Sequence, residues 1–309
     1  MVKHKLGLES EIERIARIRR HTGKTGRAVA LGIGDDCAVL RLPGSAEDLL
    51  IGTDLLVEDV HFSRATHSAA DCGWKALARG LSDIAAMGGK PTFILVSLVL
   101  PSWANRPWID GFYDGLLKLA RREHASLVGG DLAHGDRLVC DIVVAGTAHK
   151  GTAMRRGGAK PGDTIWISGA LGGSALGLST QRGAAWKRHL RPEPRLALGN
   201  FLRSRLKATA AMDLSDGLSL DLRRLCLASG LHAEIAEPPR FRGASLEQAL
   251  HGGEDYELLF TTSPNARVPQ NLGGIPLTPI GVMRRGTPGE VLLHGTRLEA
   301  LGYDHFRTL

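Results

Sequence analysis

Aspartate recurs in this chain where a carboxylate is hardest to accommodate, beside glycines or inside apolar runs. Six clusters have this character: Gly34-Asp35-Asp36, Thr53-Asp54, Leu81-Ser82-Asp83, Gly129-Gly130-Asp131, Met212-Asp213-Leu214-Ser215-Asp216-Gly217 and Gly253-Glu254-Asp255. A carboxylate flanked by apolar residues tends to be buried, and its burial is costly unless it is paired or holds a metal. One Asp-Gly alone reads as a turn or a helix cap. Six clusters in a chain of net charge +7 exceed what a solvated surface explains. The expectation is that these acids meet in space.

Carboxylate ligands without His or Cys favour a hard cation, Mg²⁺ or Ca²⁺. The calcium-loop pattern D-x-[DN]-x-[DN]-G is absent from the sequence. Magnesium binds through a few carboxylates together with substrate phosphates, and neighbouring glycines let backbone N–H groups approach those phosphates. Phosphoryl transfer with several metal ions is the natural inference. Gly23-Lys24-Thr25 imitates the end of a P-loop, but the glycine required five places before Gly23 is Ile18, and an amphipathic helix precedes it instead of a strand. No protein-kinase signature set is present either.

The 309 residues suit about two domains, and 43% hydrophobic content is enough for sizeable cores. The basic charge is scattered in short pairs such as Arg19-Arg20, Arg121-Arg122, Arg155-Arg156 and Arg223-Arg224, and aromatic residues make up only 5%. That pattern argues against a nucleic-acid-stacking surface. Cys37, Cys72, Cys140 and Cys226 form no C-x-x-C pair, so a zinc site is not expected and the thiols read as reduced. Met1–Glu13 lacks an apolar signal core, and no run reaches the length of a membrane span. These features lead us to expect a cytoplasmic protein without a membrane partner.

Helical spacing predicts helices over Leu8–Arg20, Ala69–Met87, Trp108–Glu123, Pro194–Leu206 and Gly217–Ser229. Val29–Leu42 reads as strand or turn near a ligand. Strands are expected at Leu49–Val57, Phe93–Leu100, from Ser126–Val128 into Gly129-Gly130-Asp131, and at Leu138–His149. Others are expected at Thr164–Ser168, Ala233–Ala236, Tyr256–Thr262, Leu277–Val282 and Glu290–Leu293. Glycine, lysine, arginine and proline crowd Gly151–Gly162, marking a boundary between residues 1–150 and 151–309. Each half reads as α+β, a sheet with helices on one face.

Taken in order, the motifs resemble those of thiamine-monophosphate kinases. They are Gly32-Ile33-Gly34-Asp35-Asp36-Cys37-Ala38-Val39-Leu40, Thr53-Asp54-Leu55-Leu56-Val57, Val60-His61-Phe62, Lys75-Ala76-Leu77-Ala78 and Leu81-Ser82-Asp83-Ile84-Ala85-Ala86-Met87-Gly88. Further along come Gly129-Gly130-Asp131, Gly158-Ala159-Lys160-Pro161-Gly162-Asp163, Asp213-Leu214-Ser215-Asp216-Gly217-Leu218, Gly252-Gly253-Glu254-Asp255-Tyr256-Glu257-Leu258 and Gly302-Tyr303-Asp304-His305-Phe306. The likeness spans nearly the whole chain.

That resemblance places the chain in the aminoimidazole ribonucleotide synthetase superfamily. It implies a two-domain α/β (α+β) fold, each domain a mixed sheet with packed helices, and a homodimer built mainly through the N-terminal domains. It implies ATP as co-substrate, thiamine monophosphate as acceptor and several Mg²⁺ ions in the cleft between the domains. Residues 1–150 would bind ATP and Mg²⁺ and dimerise, and 151–309 would complete the nucleotide and substrate site. Carried onto matching positions, Asp36, Thr53, Asp54, Asp83, Asp131, Asp213 and Asp216 are implied metal ligands. Gly130, Asp131, Arg156 and Ser215 are implied ATP contacts, and His61, Glu254 and Tyr303 contacts to thiamine phosphate. Asp54, Asp83, Asp131 and Asp213 are the implied catalytic set. Read by itself, His61 is as well explained as a core histidine, and Ser215 as the N-cap of the helix beginning near Gly217. The chain departs from the pattern at Leu132 and Ala133, where relatives carry threonines, and at Gly52, often a serine. A rival class, a basic nucleic-acid-binding module, predicts steep salt dependence and indifference to Mg²⁺-ATP.

Overall fold

The computed structural model describes residues 9–23 and 25–306. Leu8, at the start of the first expected helix, and Lys24 of the P-loop imitation lie outside the described residues. Helix α1 spans Glu11–His21, and Ser10 caps it in a reciprocal pair with Glu13.

The first sheet has six strands: β1 Val29–Leu31, β2 Ala38–Leu40, β3 Glu47–Val57, β4 Lys90–Leu100, β5 Ser126–His134 and β6 Val139–His149. Their order is β1-β2-β3-β6-β4-β5. Only β4 and β5 run parallel, because the helix between them, α3 (Arg106–Arg122), provides a crossover. The stretch expected as strand or turn over Val29–Leu42 forms two short strands around a loop, 32–37, that carries Asp35 and Asp36.

Helix α2 spans Ala69–Ala86 and is capped by Ser68 with Asp71. Fourteen of its eighteen residues are buried, as expected of a helix apolar on nearly every side. It crosses α3 backbone to backbone. A Cβ on Gly73 would lie 1.9 Å from the Phe112 carbonyl oxygen, and one on Gly115 1.9 Å from that of Ala70. Both crossing points therefore require glycine.

The second sheet holds β7 Thr164–Ser168, β8 Ala210–Asp213, β9 His232–Ile235, β10 Leu258–Thr262, β11 Asn271–Leu272, β12 Ile275–Arg284, β13 Val291–Leu293 and β14 Thr296–Arg297. The order is β14-β13-β9-β12-β7-β10-β8, with β11 paired onto β12. Its helices are α4 Gly173–Thr180, α5 Gly183–Leu190, α6 Leu196–Phe201 (continued by a π-turn at 202–206), α7 Leu218–Ser229 and α8 Leu246–His251. Ile165, Ile167, Met212, Leu222, Leu225 and Leu259 pack one core there. The other core surrounds α2 and draws Leu198, Leu202 and Phe260 from the second half. Buried α2 thus has the first sheet on one side and elements of the second half on the other.

Several elements differ from the expectation. Helices α4, α5 and α8 were not anticipated, since they are short and their small or polar residues carry no clear periodicity. Strand β8, fully buried, escaped for the same reason of length. Among the described residues, no helix is long and apolar enough to cross a membrane.

Candidate active site

Three of the scattered acids converge. Carboxylate oxygens of Asp36, from the loop after β1, Asp83 on α2 and Asp213 at the end of β8 lie within 4.8 Å of one another. Each comes from a different element, and the Asp213 contribution crosses from the second sheet to α2. Ser82 Oγ on α2 donates to Asp213 Oδ2 at 2.7 Å and ties the two parts together. Gly52 marks the floor of the group: a Cβ there would sit 3.5 Å from Asp83 Oδ2 and 3.3 Å from Cys37 Sγ.

Burial and mutual repulsion dominate the electrostatics. Burial first, and then the charges of Asp213 and Asp36, push the Asp83 carboxyl well above its ordinary range. Asp213 rises to about 8 by burial and the nearby Asp36. Asp35 rises to about 7 for the same two reasons, burial and Asp36. Asp36 is held by Arg156, whose Nε donates at 3.0 Å and whose Nη2 makes a second, shorter contact. The second oxygen of Asp36, Oδ2, is buried without a hydrogen-bond partner. A hard, oxygen-seeking cation fits this set: three carboxylates, one orphaned oxygen, and two acids that hold protons when nothing offsets their charge.

The group opens into a cleft of about 790 Å³, lined among others by Thr53, Asp54, His61, Arg79, Ser215, Asp216, Glu254, Tyr256 and Tyr303. Asp54 is clamped by Arg79, with Nε at 3.0 Å and Nη2 at 2.8 Å. Asp216 pairs with Arg224, which also holds Asp221 at 2.9 Å. Ser215 does not cap the following helix. Asp221, reaching back from within α7, accepts the N–H groups of Asp216 and Gly217 at 3.0 and 3.1 Å, and the Ser215 carbonyl accepts from Glu254 N at 2.7 Å. That arrangement corrects the helix-cap alternative for Ser215.

At the far end of the cleft lies a buried ion network that the sequence reading passed over. Lys75 on α2 is 0% exposed. Its ammonium donates to Glu254 Oε2 at 2.9 Å and to the His61 carbonyl at 3.0 Å, and reaches His189 Nε2 at 3.5 Å. Burial pulls the lysine down. Burial alone would raise Glu254, but Lys75, His189 and Arg79 bring it to about 2. With a direct charge-assisted contact the pair stays ionised. Glu254 Oε1 is buried and lacks a hydrogen bond, so it can accept from a ligand. Burial and the Arg79 charge lower His61 to about 3. The neutral ring accepts Val57 N–H at Nδ1, 3.0 Å away, leaving its proton on Nε2, which has no partner. His305 covers that ring at 5.1 Å, and Tyr303 packs edge-on against His305. Segment 300–305 therefore closes this end of the cleft.

Lys75→Met isolates the Glu254 carboxylate and is expected to destabilise the protein by about 3 kcal/mol. Adding Glu254→Gln should restore most of that stability but no activity. Urea unfolding checks the first point. A double variant as unstable as the single one would show that the pair carries no coupling.

Gly130 and Asp131 do not join the group within one chain. They lie on the exposed edge strand β5, where Asp131 Oδ1 accepts from Leu132 N. Gly130 is registered opposite Val96, Val96 opposite Ile142, and Ile142 opposite Asp54. That is three strand spacings, about 14 Å. Alternation also separates the faces. Asp54 points toward α2, whereas Thr53, Asp141, Ser97 and Asp131 share the outer face, and the Thr53 hydroxyl donates to Asp141. Asp141 gave the same signal as the six clusters, an acid in an apolar strand, but has no glycine beside it. Lys75 and Arg79 were legible too, as cations four apart on an otherwise apolar helix.

A family model described as "AIR synthase related protein, N-terminal domain" matches residues 34–148. The thiamine-monophosphate kinase of Bacillus subtilis is 38% identical over 91% of this chain and 94% of its own length. The Salmonella typhimurium enzyme of the same name is 38% identical over 96% and 98%. The solved structure "AaThiL complexed with AMPPCP and TMP" superposes with a TM-score of 0.85 at 30% identity, covering 96% of this chain and 97% of that one. With likeness of this kind over nearly the whole of both chains, the chain belongs to the thiamine-monophosphate kinase family.

Proposed function

We propose that this protein transfers the γ-phosphoryl group of ATP to thiamine monophosphate, giving ADP and thiamine diphosphate in thiamine diphosphate biosynthesis. One observation carries the reading. Asp36, Asp83 and Asp213 meet beside a cleft, lined by the last two, that also holds Glu254 Oε1, a carboxylate oxygen without a hydrogen bond, 3.7 Å from Arg79 Nη1. The acceptor is a phosphate monoester with a second pKa of about 6, so near neutrality it is largely a dianion. Its oxygen needs no general base; it attacks the γ-phosphorus directly as the bond to the ADP oxygen breaks, without a phosphoenzyme.

The obstacle is repulsion between two polyanions. Asp36, Asp83 and Asp213 would hold Mg²⁺, with Asp54 and Asp216 as further ligands at the cleft and Thr53, whose hydroxyl is turned to the outer face, contributing its backbone carbonyl. Bound Mg²⁺ supplies charge neutralisation across the β- and γ-phosphates. Arg156 and Ser215 contact the nucleotide, and Arg156 sits ready to exchange Asp36 for a phosphate oxygen. At the other end, Glu254 Oε1 faces the positive thiamine ring system and Tyr303 stacks on it, a contact typically worth about 0.5–2 kcal/mol. His61 Nε2–H donates to the acceptor phosphate.

Asp131 and Gly130 take their parts in nucleotide and metal binding through a homodimer. The outer face of the first sheet is uncovered and, beside Thr53, Ser97, Asp131 and Asp141, carries an apolar patch: Leu55 is 50% exposed, and Leu95, Val99, Val139 and Val143 share its face. A second copy packed there would cover this patch and bring the β5 edge to a neighbouring cleft. Leu55→Arg is expected to yield a folded monomer with at least about tenfold lower activity. Light scattering and turnover on one sample decide it, and an active monomer would remove the partner from the mechanism. Residues 1–150 and 151–309 would then serve as the metal-binding, dimerising part and the part completing the substrate site. We place the enzyme in the cytoplasm.

The direct test is to incubate the protein with Mg²⁺-ATP and thiamine monophosphate and separate the products. Equal amounts of ADP and thiamine diphosphate are expected. ADP without thiamine diphosphate would overturn the assignment of the acceptor.

A further inference from the structure

Behind the acidic group, the linker between the two sheets passes a second cavity of about 300 Å³, lined by residues 152–155, Gly157, Arg203 and 207–209. Three of the lining side chains are cationic, Arg155, Arg203 and Lys207, and none is acidic.

Arg203 decides what the cavity is for. It is 7% exposed, the most buried arginine among the described residues. Its Nε donates to the Gly88 carbonyl at 2.7 Å and its Nη1 to Thr152 Oγ1 at 3.0 Å, both neutral acceptors. Among the described residues its Nη2 has no hydrogen-bond partner. Among the described residues no carboxylate lies within 4.0 Å of its nitrogens, and the acid that acts on it from further off is Glu47. Other inward-facing arginines are all matched: Arg79 with Asp54, Arg156 with Asp36, Arg195 with Glu257 and Arg224 with Asp221. Asp163, bonded to the lining residue Thr209, already accepts from Lys160 N and Thr209 Oγ1. A buried cation without a counterion is costly. Arg155 and Lys207, exposed at the same cavity, bring further positive charge and no counterion to it.

We propose that this cavity binds a small phosphate-bearing anion, at a site separate from the acidic cleft. A phosphate dianion matches a cavity whose wall includes Arg155, Arg203 and Lys207 and no acid, with Nη2 of Arg203 left over after its bonds to Gly88 and Thr152. The volume, at the low end of ligand cavities, takes a phosphate or diphosphate group in preference to a whole nucleotide. The site lies close to the catalytic apparatus along the chain. Arg155 precedes Arg156, which holds Asp36, and the Arg155 carbonyl accepts from Ala211 N on the strand that ends at Asp213.

The test is calorimetric titration of the intact protein with inorganic phosphate, diphosphate, AMP and thiamine diphosphate, with EDTA present so that the acidic cleft carries no ions. One-site binding with a Kd at or below about 1 mM is expected for phosphate or diphosphate. Arg155 and Lys207 are exposed, so the Arg155→Ala/Lys207→Ala double variant keeps its core. It should bind at least about tenfold more weakly, while Asp83→Asn should leave the affinity unchanged. Tighter binding of the esters than of free phosphate would identify the phosphate end of a metabolite as the occupant; equal or weaker binding would identify the free anion. No saturable binding to the wild type, or binding lost in Asp83→Asn and retained in the double variant, would overturn the proposal.

Discussion

Asp83→Ala is expected to lower kcat by about 10³-fold, the scale of losing one preorganised electrostatic contact, while leaving the metal-free protein at least as stable at pH 8. Both halves follow from the same geometry. Among the described residues the Asp83 carboxylate accepts no hydrogen bond and is in no ion pair; the charges that act on it are Asp213, Asp36 and Asp54, with Arg156 opposing them. In the proposed mechanism, removing it takes away a ligand to the ions that would offset phosphate repulsion. In the metal-free protein it removes only a carboxyl crowded by like charges. Asp54→Ala should behave differently. Arg79, with a side chain 10% exposed, would lose its bidentate partner, so stability should fall by about 3 kcal/mol along with activity. Comparing kcat with urea unfolding for the two variants separates a ligand from a structural ion pair. An Asp83→Ala enzyme that is folded and turns over normally would remove the residue from the mechanism.

The metal-free protein should lose stability as pH rises from about 6.5 to 8.5, and Mg²⁺ should restore it. Asp35, Asp83 and Asp213 hold their protons in the folded state up to about 7, to well above the ordinary 3.8, and to about 8. The unfolded chain releases them near 3.8, so the folded state binds more protons between those limits. Their stabilising contribution is complete below the unfolded value and is lost as pH climbs through 7 and 8. Three buried histidines work the other way at lower pH. Burial depresses His61 to about 3, His67 to about 4 and His189 to about 3. Their contribution is present above about 6.5 and disappears as pH falls below it. The two effects oppose each other in moderate acid, whereas above pH 6.5 only the aspartates remain. Thermal unfolding with EDTA should therefore show Tm falling across that window. Added Mg²⁺ should raise Tm more at pH 8 than at pH 6, because binding must displace protons at the lower pH. A shift equal at both values would show that the acids bind the ion without releasing protons.

The candidate site was legible to the extent that local chemistry betrays burial. Asp36, Asp83 and Asp213 stand beside glycine or in apolar runs, and these three converge. Asp54 and Asp216 carried the same signal, yet in the structure each is clamped by an arginine, Arg79 or Arg224. No local pattern distinguishes a carboxylate facing two acids from one facing a guanidinium, since the partner comes from elsewhere in the chain. Asp131 shows a further limit. Its Gly-Gly-Asp motif was plain, but the strand carrying it pairs on the far edge of the sheet, three strands from Asp54.

The sequence by itself determined that several carboxylates would meet inside the fold, that a helix would cover residues 69–86 and that strands and packed helices would form mixed sheets. Periodicity, turn residues and the cost of desolvating a carboxylate act locally, and each is written in neighbouring residues. Only the tertiary structure decided which acids share a site, that Lys75 locks Glu254 to His61, and that Arg203 is buried without a counterion. Those outcomes depend on strand order and on how the second half packs against α2, where contacts join residues more than a hundred positions apart.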